Sequence, residues 1–258
     1  MQPVKINPLT LKILANFAKI SNYFEKDDDQ CVKISSISGD IYAYFQPAEP
    51  DDAIINMPHF ALSDLKSFIT VMEKFGINAN VSYGTKTATK AKGSQLVEDM
   101  IVDRFSIDNG KAFAKVGAEN PHEVRPFQEE LILVAETDTG SGDVIYSFVM
   151  SQEEIKHILD LAKAMGVHEL RIGMLDEKFS VVAIDASDDT TDLSGVDFNL
   201  DFKSSDSMSV IMNATDLSCL YAGSYRVDVY EEVVVFTNEL IKLKYFIGIN
   251  DRKYSSKW

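Results

Sequence analysis

Two pairs of lysines recur with the same spacing in two distant segments of the chain. Lys12 and Lys19 lie seven residues apart in the stretch "LKILANFAK". Lys156 and Lys163 repeat that spacing 144 positions later. On a helix, such an interval places both ammonium groups two turns apart along one side. The chemistry open to such a pair is electrostatic binding of a polyanion, above all of a phosphate chain.

The residues around the lysines repeat as well. Six positions of the first copy match the second copy in type, namely Leu11, Lys12, Leu14, Phe17, Ala18 and Lys19 against Ile155, Lys156, Ile158, Leu161, Ala162 and Lys163. A third copy begins at Leu65 and Lys66 but has Glu73 in place of the second lysine. A fourth begins at Leu217, with Ser218 in place of the first lysine. The short, long and short intervals between these starts predict two copies in each of two domains.

Each copy predicts an amphipathic helix, because apolar residues recur at positions i, i+3 and i+7. The apolar face is then buried, and the lysines lie on another side of the helix. Pro8 suits a first helical turn, and Ser63 and Ser151 are candidate N-caps. Gly76 and Gly166 are candidate stop residues.

Alternating apolar segments follow the helices and predict β-hairpins in 31–45, 169–185 and 225–249. The fold class is therefore α+β, with helices covering one face of antiparallel sheets. Domain 1 is predicted to span 1–120 and domain 2 to span 131–258. The linker between them, 121–130, contains two prolines and little periodicity.

Polar segments between these elements predict surface loops. The loop expected at 83–94 is basic, with Lys86, Lys90 and Lys92. Three others, at 137–143, 185–192 and 203–209, are acidic or rich in serine, threonine and glycine.

The overall charge restricts how the chain can meet a polyanion. Asp and Glu number 40 against 25 Lys and Arg, a formal net charge of −15. Phosphate is repelled by such a surface, so any contact with it must be confined to a local basic strip. No apolar run is long enough for a transmembrane helix, and the N-terminus lacks a signal-peptide core. We therefore expect no membrane association, and we expect Cys31 and Cys219 to be reduced.

Sequence patterns for catalysis or cofactor binding are absent. The chain has no phosphate-binding glycine loop, no nucleophile elbow and no zinc-binding spacing. No pair among its four histidines, His59, His122, His157 and His168, has metal-ligand spacing on one face. We expect no enzyme activity, cofactor or metal, although catalytic residues scattered along the chain would escape such a search.

Four segments together resemble a known family, namely 11–20, 60–76, 151–174 and 223–230. Their order and internal repetition resemble the DNA sliding clamps, and most of all the polymerase processivity factors of T-even-type tailed bacteriophages. The resemblance implies the DNA clamp fold, with two similar domains that each pack two helices on antiparallel sheets. It also implies a homotrimeric ring of six domains that encircles duplex DNA.

The resemblance implies partners and site residues too. A replicative DNA polymerase would bind through its C-terminal tail, and an ATP-dependent clamp loader would open the ring, in the cytoplasm of the infected bacterial host. The DNA-facing residues would be Lys12, Lys19, Lys66, Lys86, Lys90, Lys92, Lys156 and Lys163. The pocket for the partner peptide would involve Val124, Pro126, Phe127 and Ile249. Subunits would join through edge strands, for which 111–116 and 178–184 are candidates.

Two other classes of protein remain open from the sequence. One is an oligomeric structural or interaction protein that has the clamp-like fold without a role on DNA. The other is an enzyme with a scattered active site. The repeated lysine pairs favour the clamp, because a scaffold has no need for stacked lysines on matching helices.

Overall fold

The computed structural model forms two compact units. Unit 1 comprises Met1–Gly39, Ala43–Gln128 and Leu240–Leu243, and unit 2 comprises Asp40–Tyr42, Glu129–Glu239 and Lys244–Trp258. Within these units, the residues that the structure describes are 5–27, 30–47, 53–76, 79–92, 95–123, 144–175, 178–185, 194–198 and 208–254. No helix of the described residues is long and apolar enough to cross a membrane.

Among the described residues before 120, the helices are α1 (Pro8–Phe17), α2 (Ala53–Asn56) and α3 (Leu65–Phe75). The side chain of Asn7 caps α1 by accepting a 2.8 Å hydrogen bond from the Leu9 amide. Pro8 occupies the first turn as predicted, because a first-turn residue needs no amide hydrogen.

The N-cap of α3 differs from the prediction. Asp64 caps the helix and accepts a 3.1 Å hydrogen bond from the Ser67 amide. Ser63 instead donates its hydroxyl hydrogen to Glu119, at 2.8 Å. Gly76 ends α3 as predicted, with a φ of 80° that favours glycine.

The strands before residue 120 form two antiparallel groups. In the first, neighbours follow the order β4-β1-β2-β3, and in the second the order β5-β6-β7. Their bounds are β1 Phe24–Lys26, β2 Val32–Ser35, β3 Ile41–Phe45, β4 Phe60–Leu62, β5 Asn80–Lys92, β6 Gln95–Asp108 and β7 Phe113–Gly117.

The loop predicted at 83–94 is wrong over most of its length. Residues 80–92 form β5, which pairs in antiparallel register with β6 along a long hairpin. The segment is polar, but it alternates: Ala88 is buried, while Thr87 and Thr89 on either side are exposed. That alternation, together with three threonines in the segment, is typical of a strand with one covered face.

In the part of unit 2 that the structure describes, the helices are α4 (Gln152–Met165) and a 3₁₀ helix, Ala214–Cys219. Neighbouring strands follow the order β11-β10-β9-β12-β16 in one group and β15-β14-β13-β8 in another. Their bounds are β8 Tyr146–Met150, β9 Glu169–Leu175, β10 Lys178–Ile184, β11 Ser194–Phe198, β12 Met208–Asn213, β13 Tyr225–Val229, β14 Val233–Asn238, β15 Leu243–Gly248 and β16 Asp251–Tyr254. The hairpins predicted in 169–185 and 225–249 are confirmed.

The fourth copy of the helical repeat is not an α-helix. The segment "ATDLSC" forms only the short 3₁₀ turn, and three of its six residues, Thr215, Asp216 and Ser218, are weak helix formers. By contrast, α4 begins with the predicted capping box, in which Ser151 and Glu154 bond each other's backbone amides. Gly166 ends α4 in the left-handed region, at a φ of 70°.

The predicted apolar faces of the helices are buried. Leu14, Phe68 and Ile158 are at most 2% exposed. Leu11 is the exception, because it remains half-buried at a groove between α1 and α3. The core around α3 is aromatic, with Phe105 in edge-to-face contact with Phe60 and Phe68.

Parts of the predicted loops and linker lie outside the described residues. They are 137–143, most of 185–192, and 203–207, whereas Met208 and Ser209 begin β12. Within the predicted linker, 121–123 form a turn, and 124–130 are outside the described residues.

Candidate nucleic-acid interface

Five lysines of the helical repeats are exposed to solvent. Lys12 lies on α1, Lys19 follows its end, Lys66 lies on the first turn of α3, and Lys156 and Lys163 lie on α4. Among the described residues, no carboxylate oxygen lies within 4.0 Å of any of these five ammonium groups. Their ammonium groups are therefore available to bind an external anion, as the predicted electrostatic role requires.

A groove between α1 and α3 brings Lys12 close to an acid. Its volume is ≈ 180 Å³, and its lining is mainly apolar, with Leu11 and Met72 among the contributors. Lys12 and Glu73 both line it. Glu73 is the residue that replaces the second lysine of the repeat, so its carboxylate lowers the positive potential beside Lys12.

Asp64 is a further anion beside the repeat lysines. Hydrogen bonds from the side chain and backbone of Ser67 lower the pKa of its carboxyl group, with a smaller bond from Asn22. Asp64 is thus ionised at neutral pH, two residues before Lys66. The start of α3 therefore carries one charge of each sign.

The exposed side of α4 is mixed in charge and not purely basic. Asp160 lies four residues after Lys156 and three before Lys163, so the three side chains share one side of the helix. Glu153 lies three residues before Lys156, and all four residues are exposed or half-exposed. The lysines of α4 therefore have the predicted spacing, but acidic side chains lie beside them on the same side of the helix.

The lysines predicted in a basic loop lie instead on strand β5. Lys86 is exposed and Lys90 is half-buried, on either side of the buried Ala88. Residues two apart on a strand point to the same face, so Lys86 and Lys90 project from one side of the hairpin. Lys92 also belongs to β5, in register with Gln95.

One member of the predicted peptide pocket lines a pocket in unit 2. Ile249, Glu232, Asn250 and Asp251 surround a volume of ≈ 390 Å³. The Ile249 amide donates to the Glu232 carbonyl at 3.2 Å, which joins two of the lining residues. Two acidic side chains beside one apolar residue suit a peptide with an apolar and a basic group. The other predicted members, Val124, Pro126 and Phe127, lie outside the described residues.

Of the two segments proposed as edge strands, one is wrong. β7, which contains most of 111–116, lies at the edge of its sheet, since β6 is its only neighbour among the strands that the structure describes. β10, which contains 178–184, pairs with β9 on one side and β11 on the other, so its backbone cannot receive another strand. The terminal strands of that sheet are β11 and β16, and β11 is more polar and shorter than β10.

A cluster that the sequence analysis missed brings together His59, Asp99 and His122. Their ligand-type atoms all lie within 4.8 Å of one another. The two histidines are 63 positions apart, and spacing on a single element cannot reveal such a pair. The pairing of β6 with β7, and the bridge between His59 and Ile101 of β6, bring these distant segments together.

Comparisons with known proteins identify the fold. No family model matches the chain, and no curated protein matches it. Archaeal PCNA from A. fulgidus, solved with the C-terminal region of FEN-1, has a TM-score of 0.64 and 11% identity, over 97% of this chain and 99% of that one. The H. pylori beta clamp bound to a DNA ligase peptide has a TM-score of 0.60 and 12% identity, over 97% and 67%.

A third similar structure is the beta chain of DNA polymerase III from Streptococcus pneumoniae, with a TM-score of 0.58 and 13% identity, over 96% of this chain and 64% of that one. The chain thus spans about two thirds of the length of these bacterial clamps. Similarity over nearly the whole chain establishes the DNA clamp fold in the α+β class. At these identities the likeness concerns the fold alone.

Proposed function

We propose that this protein is a sliding clamp, which encircles duplex DNA as a homotrimeric ring and tethers a replicative DNA polymerase. One observation carries the proposal: a chain with the clamp fold and a net charge of −15 exposes lysines at the repeated positions of three helices. In the DNA clamp implied by the sequence resemblance, these helices line the central hole. The clamp performs no bond chemistry.

Lysines of this kind bind the phosphate backbone and not the bases. Such contacts position a protein on DNA without reading its sequence, and they weaken as salt rises. A sliding ring needs contacts that are few and weak, because strong ones would hold it in place. Glu73 and Asp160 fit this requirement, since each lowers the positive potential beside a repeat lysine. The acidity elsewhere repels DNA from the outside of the ring.

The length of the chain supports three copies in the ring. The chain forms two units and spans about two thirds of the bacterial clamp chains, as expected if those chains contain one more unit. A ring of six units, which the sequence resemblance implies, then needs three copies of this chain. Closed cyclic symmetry is the common form for such heterologous contacts.

The edge strands offer a way for successive subunits to join. Among the described strands, β7 and β11 each have one strand neighbour in their sheets, and antiparallel pairing between them would continue both sheets. Their exposed charges are opposite, with Lys115 on β7 and Asp197 on β11. Pairing of β7 with β11 of the next subunit replaces the expected pairing through 178–184.

Partner proteins are proposed to bind through short peptides. Two of the similar structures have a partner peptide or region bound, from FEN-1 and from DNA ligase. In this chain, the polymerase tail would occupy the pocket at Ile249, and the tether would raise the local polymerase concentration. An Ile249→Arg variant that binds a polymerase-tail peptide as well as wild type would refute this site. We also propose that an ATP-dependent clamp loader opens the ring. The protein would come from a bacteriophage and act in the cytoplasm of the infected bacterial host.

The ring itself is tested by native mass, measured with light scattering over a range of concentrations. One chain has a mass of 28.8 kDa, so a homotrimer is expected near three times that value, about 86 kDa. A trimer that forms only at high concentration would indicate a ring that opens easily. A monomer at every concentration would rule out the ring and the proposed mechanism with it.

The role of the lysines is tested by replacing Lys12, Lys19, Lys156 and Lys163 with alanine. We expect intact trimers that load poorly on circular DNA and that give a weaker salt dependence of DNA binding, since fewer phosphates are neutralised. The matched control replaces four exposed lysines outside the repeat positions, namely Lys5, Lys74, Lys111 and Lys242. Equal losses in both variants would indicate an effect of net charge alone.

The second candidate is an oligomeric structural protein with the clamp fold and no role on DNA. The observation that favours it is the mixed charge of α4, where Asp160 lies between the two lysines. Under this hypothesis the four-lysine variant forms trimers and behaves as wild type in every DNA assay. Loading of the wild-type protein on circular DNA would exclude it.

A further inference from the structure

We propose that His59, Asp99 and His122 form a binding site for a divalent transition-metal ion of the zinc type. Each offers one ligand atom, and these atoms all lie within 4.8 Å of one another. Two imidazoles and one carboxylate are a set that zinc commonly takes. The site lies in unit 1 and involves none of the lysines discussed above.

Three separate segments build the cluster. His59 immediately precedes β4, and its carbonyl oxygen accepts a 3.1 Å hydrogen bond from the Val102 amide of β6. Asp99 lies on β6, in register with Ala88 of β5. His122 lies in the turn after β7, where its amide donates to the Asn120 side chain at 3.1 Å. The backbone of each ligand is therefore fixed by its own hydrogen bonds.

A buried nitrogen of His59 is the observation that points to a ligand. His59 is only 6% exposed, and its Nε2 lies 2.6 Å from Glu25 Oε1. With Glu25 as the acceptor, Nε2 carries the hydrogen, and in the neutral imidazole Nδ1 then presents a lone pair. That Nδ1 is buried without a hydrogen-bond partner among the described residues, and it lies 4.0 Å from Asp99 Oδ2. A buried polar atom without a partner is costly, and a metal ion would satisfy it.

Glu25 also has the position of a supporting residue. Histidine ligands of metals generally donate their other ring hydrogen to a carboxylate or a carbonyl group, which fixes the tautomer and orients the ring. Glu25 does this for His59 at 2.6 Å, with its own side chain 15% exposed. The arrangement therefore includes both a ligand and the carboxylate that orients it.

Asp99 links the two histidines. Its Oδ2 lies 2.9 Å from His122 Nε2, and the two imidazole rings meet edge to face with their centroids 5.1 Å apart. Zinc bonds of about 2.0–2.1 Å require ligand atoms about 3.3 Å apart in a tetrahedron. The distances from Asp99 Oδ2 to His59 Nδ1 and His122 Nε2, 4.0 and 2.9 Å, lie on either side of that spacing, and the Asp99 side chain is 23% exposed to solvent.

Charge and geometry favour a divalent cation with one open position. Asp99 and Glu25 supply two carboxylates in a half-buried place, and a divalent ion balances both. Three protein ligands leave the fourth position of a tetrahedral ion to water. The bound ion would fix the turn at 120–123 to β6 and to the start of β4. Because it would link three segments that are distant in sequence, the ion would stabilise unit 1.

The test is a zinc titration of the full chain, without a histidine tag and after treatment with a chelator. We expect one zinc ion per chain by calorimetry and a higher melting temperature when zinc is bound. Asp99→Asn and His122→Gln each remove one ligand, and we expect at least a 100-fold loss of affinity. Glu25→Gln is expected to cost 10- to 100-fold, because it removes an orienting carboxylate.

The matched control is His157→Gln, since His157 is exposed on α4 and far in sequence from the cluster. This variant should bind zinc like the wild type. Circular dichroism of each variant without metal separates loss of the site from loss of the fold. The proposal is overturned if wild-type protein binds no zinc at micromolar concentration. It is equally overturned if Asp99→Asn and His122→Gln, both folded, bind zinc as tightly as His157→Gln does.

Discussion

Asp216 illustrates how one residue can oppose the stability of its own element. It lies in the 3₁₀ helix, and its Oδ2 is buried without a hydrogen-bond partner among the described residues. Burial raises the pKa of its carboxyl group above 3.8, a hydrogen bond from Asn213 lowers it, and the charge of Asp40 raises it slightly. The folded protein therefore holds the proton more tightly than the unfolded chain does, so this group favours folding only at low pH.

An Asp216→Asn variant should be more stable than the wild type at pH 7. The amide keeps the shape of the side chain and removes the cost of a buried charge. The gain should disappear as the pH falls below 3.8, where the wild-type carboxyl is protonated in both states. Urea denaturation from pH 3 to pH 7 measures the difference.

Asp197→Asn is the control of opposite sign. The Ser180 hydroxyl and then Lys178 lower the pKa of Asp197, so its carboxylate favours folding above the unfolded pKa and loses that effect as the pH falls. We expect this variant to be slightly less stable than the wild type at pH 7. A gain at pH 7 in both variants would show that the removal of any negative charge stabilises this acidic chain.

At the scale of elements, the helices were predictable where a local pattern is complete. Leu14, Phe68 and Ile158 are buried as expected, and Ser151 caps α4 as expected, because helical periodicity and capping depend on residues within a few positions. The prediction was wrong at 83–94, where the polarity of β5 concealed its strand alternation. It was also wrong at the fourth repeat copy, where only a 3₁₀ turn forms.

The candidate sites depend on contacts that no local pattern contains. His59 and His122 meet only because β6 pairs with β5 and β7 and because β4 begins beside it. In the same way, β10 has the composition of any apolar strand, and its two neighbours exclude it as an edge. Strand order is a property of the whole unit, since it depends on pairing between segments distant in sequence.

The helical repeat makes a specific prediction for α3. Glu73→Lys would restore the second lysine of the pattern, beside Lys12 in the groove between α1 and α3. We expect tighter binding of duplex DNA and a steeper dependence of that affinity on salt, because each chain then neutralises about one more phosphate. Binding isotherms at several salt concentrations measure the slope.

The control for Glu73→Lys is Glu239→Lys. Glu239 is exposed and lies outside the helices, where it pairs with Arg226 at 3.0 Å. Both variants change the charge of the chain equally. An equal increase of affinity in the two variants would contradict a special position for α3 and would indicate net charge as the cause.

At the scale of the whole molecule, the proposed ring depends on the edge of β7. Phe113 begins this strand and is 77% exposed, which is unusual for an aromatic side chain unless a partner covers it. Phe113→Asp should shift the assembly from trimer toward monomer, because burying the new carboxylate at a subunit contact is unfavourable. Light scattering and sedimentation measure the shift.

Leu240→Asp provides the control for Phe113→Asp. Leu240 is 95% exposed and belongs to no strand, so the same change of chemistry falls away from the proposed contact. Its variant should remain trimeric. If both variants dissociate, or if neither does, the edge of β7 does not determine the oligomeric state.

The long hairpin of β5 and β6 affects which part of unit 1 unfolds first. Among the described residues, β7 pairs only with residues 104–108 of β6, so beyond the bridge between His59 and Ile101 the described part of the hairpin is a ribbon of two strands. Two strands alone are barely stable in water, and such segments unfold locally before the rest. Amide hydrogens of 86–92 should thus exchange with solvent first among the paired strands of unit 1. Asp99 lies on this ribbon. A metal ion bound by Asp99 would slow that exchange, because it would connect the ribbon to His59 and His122 in the rest of unit 1.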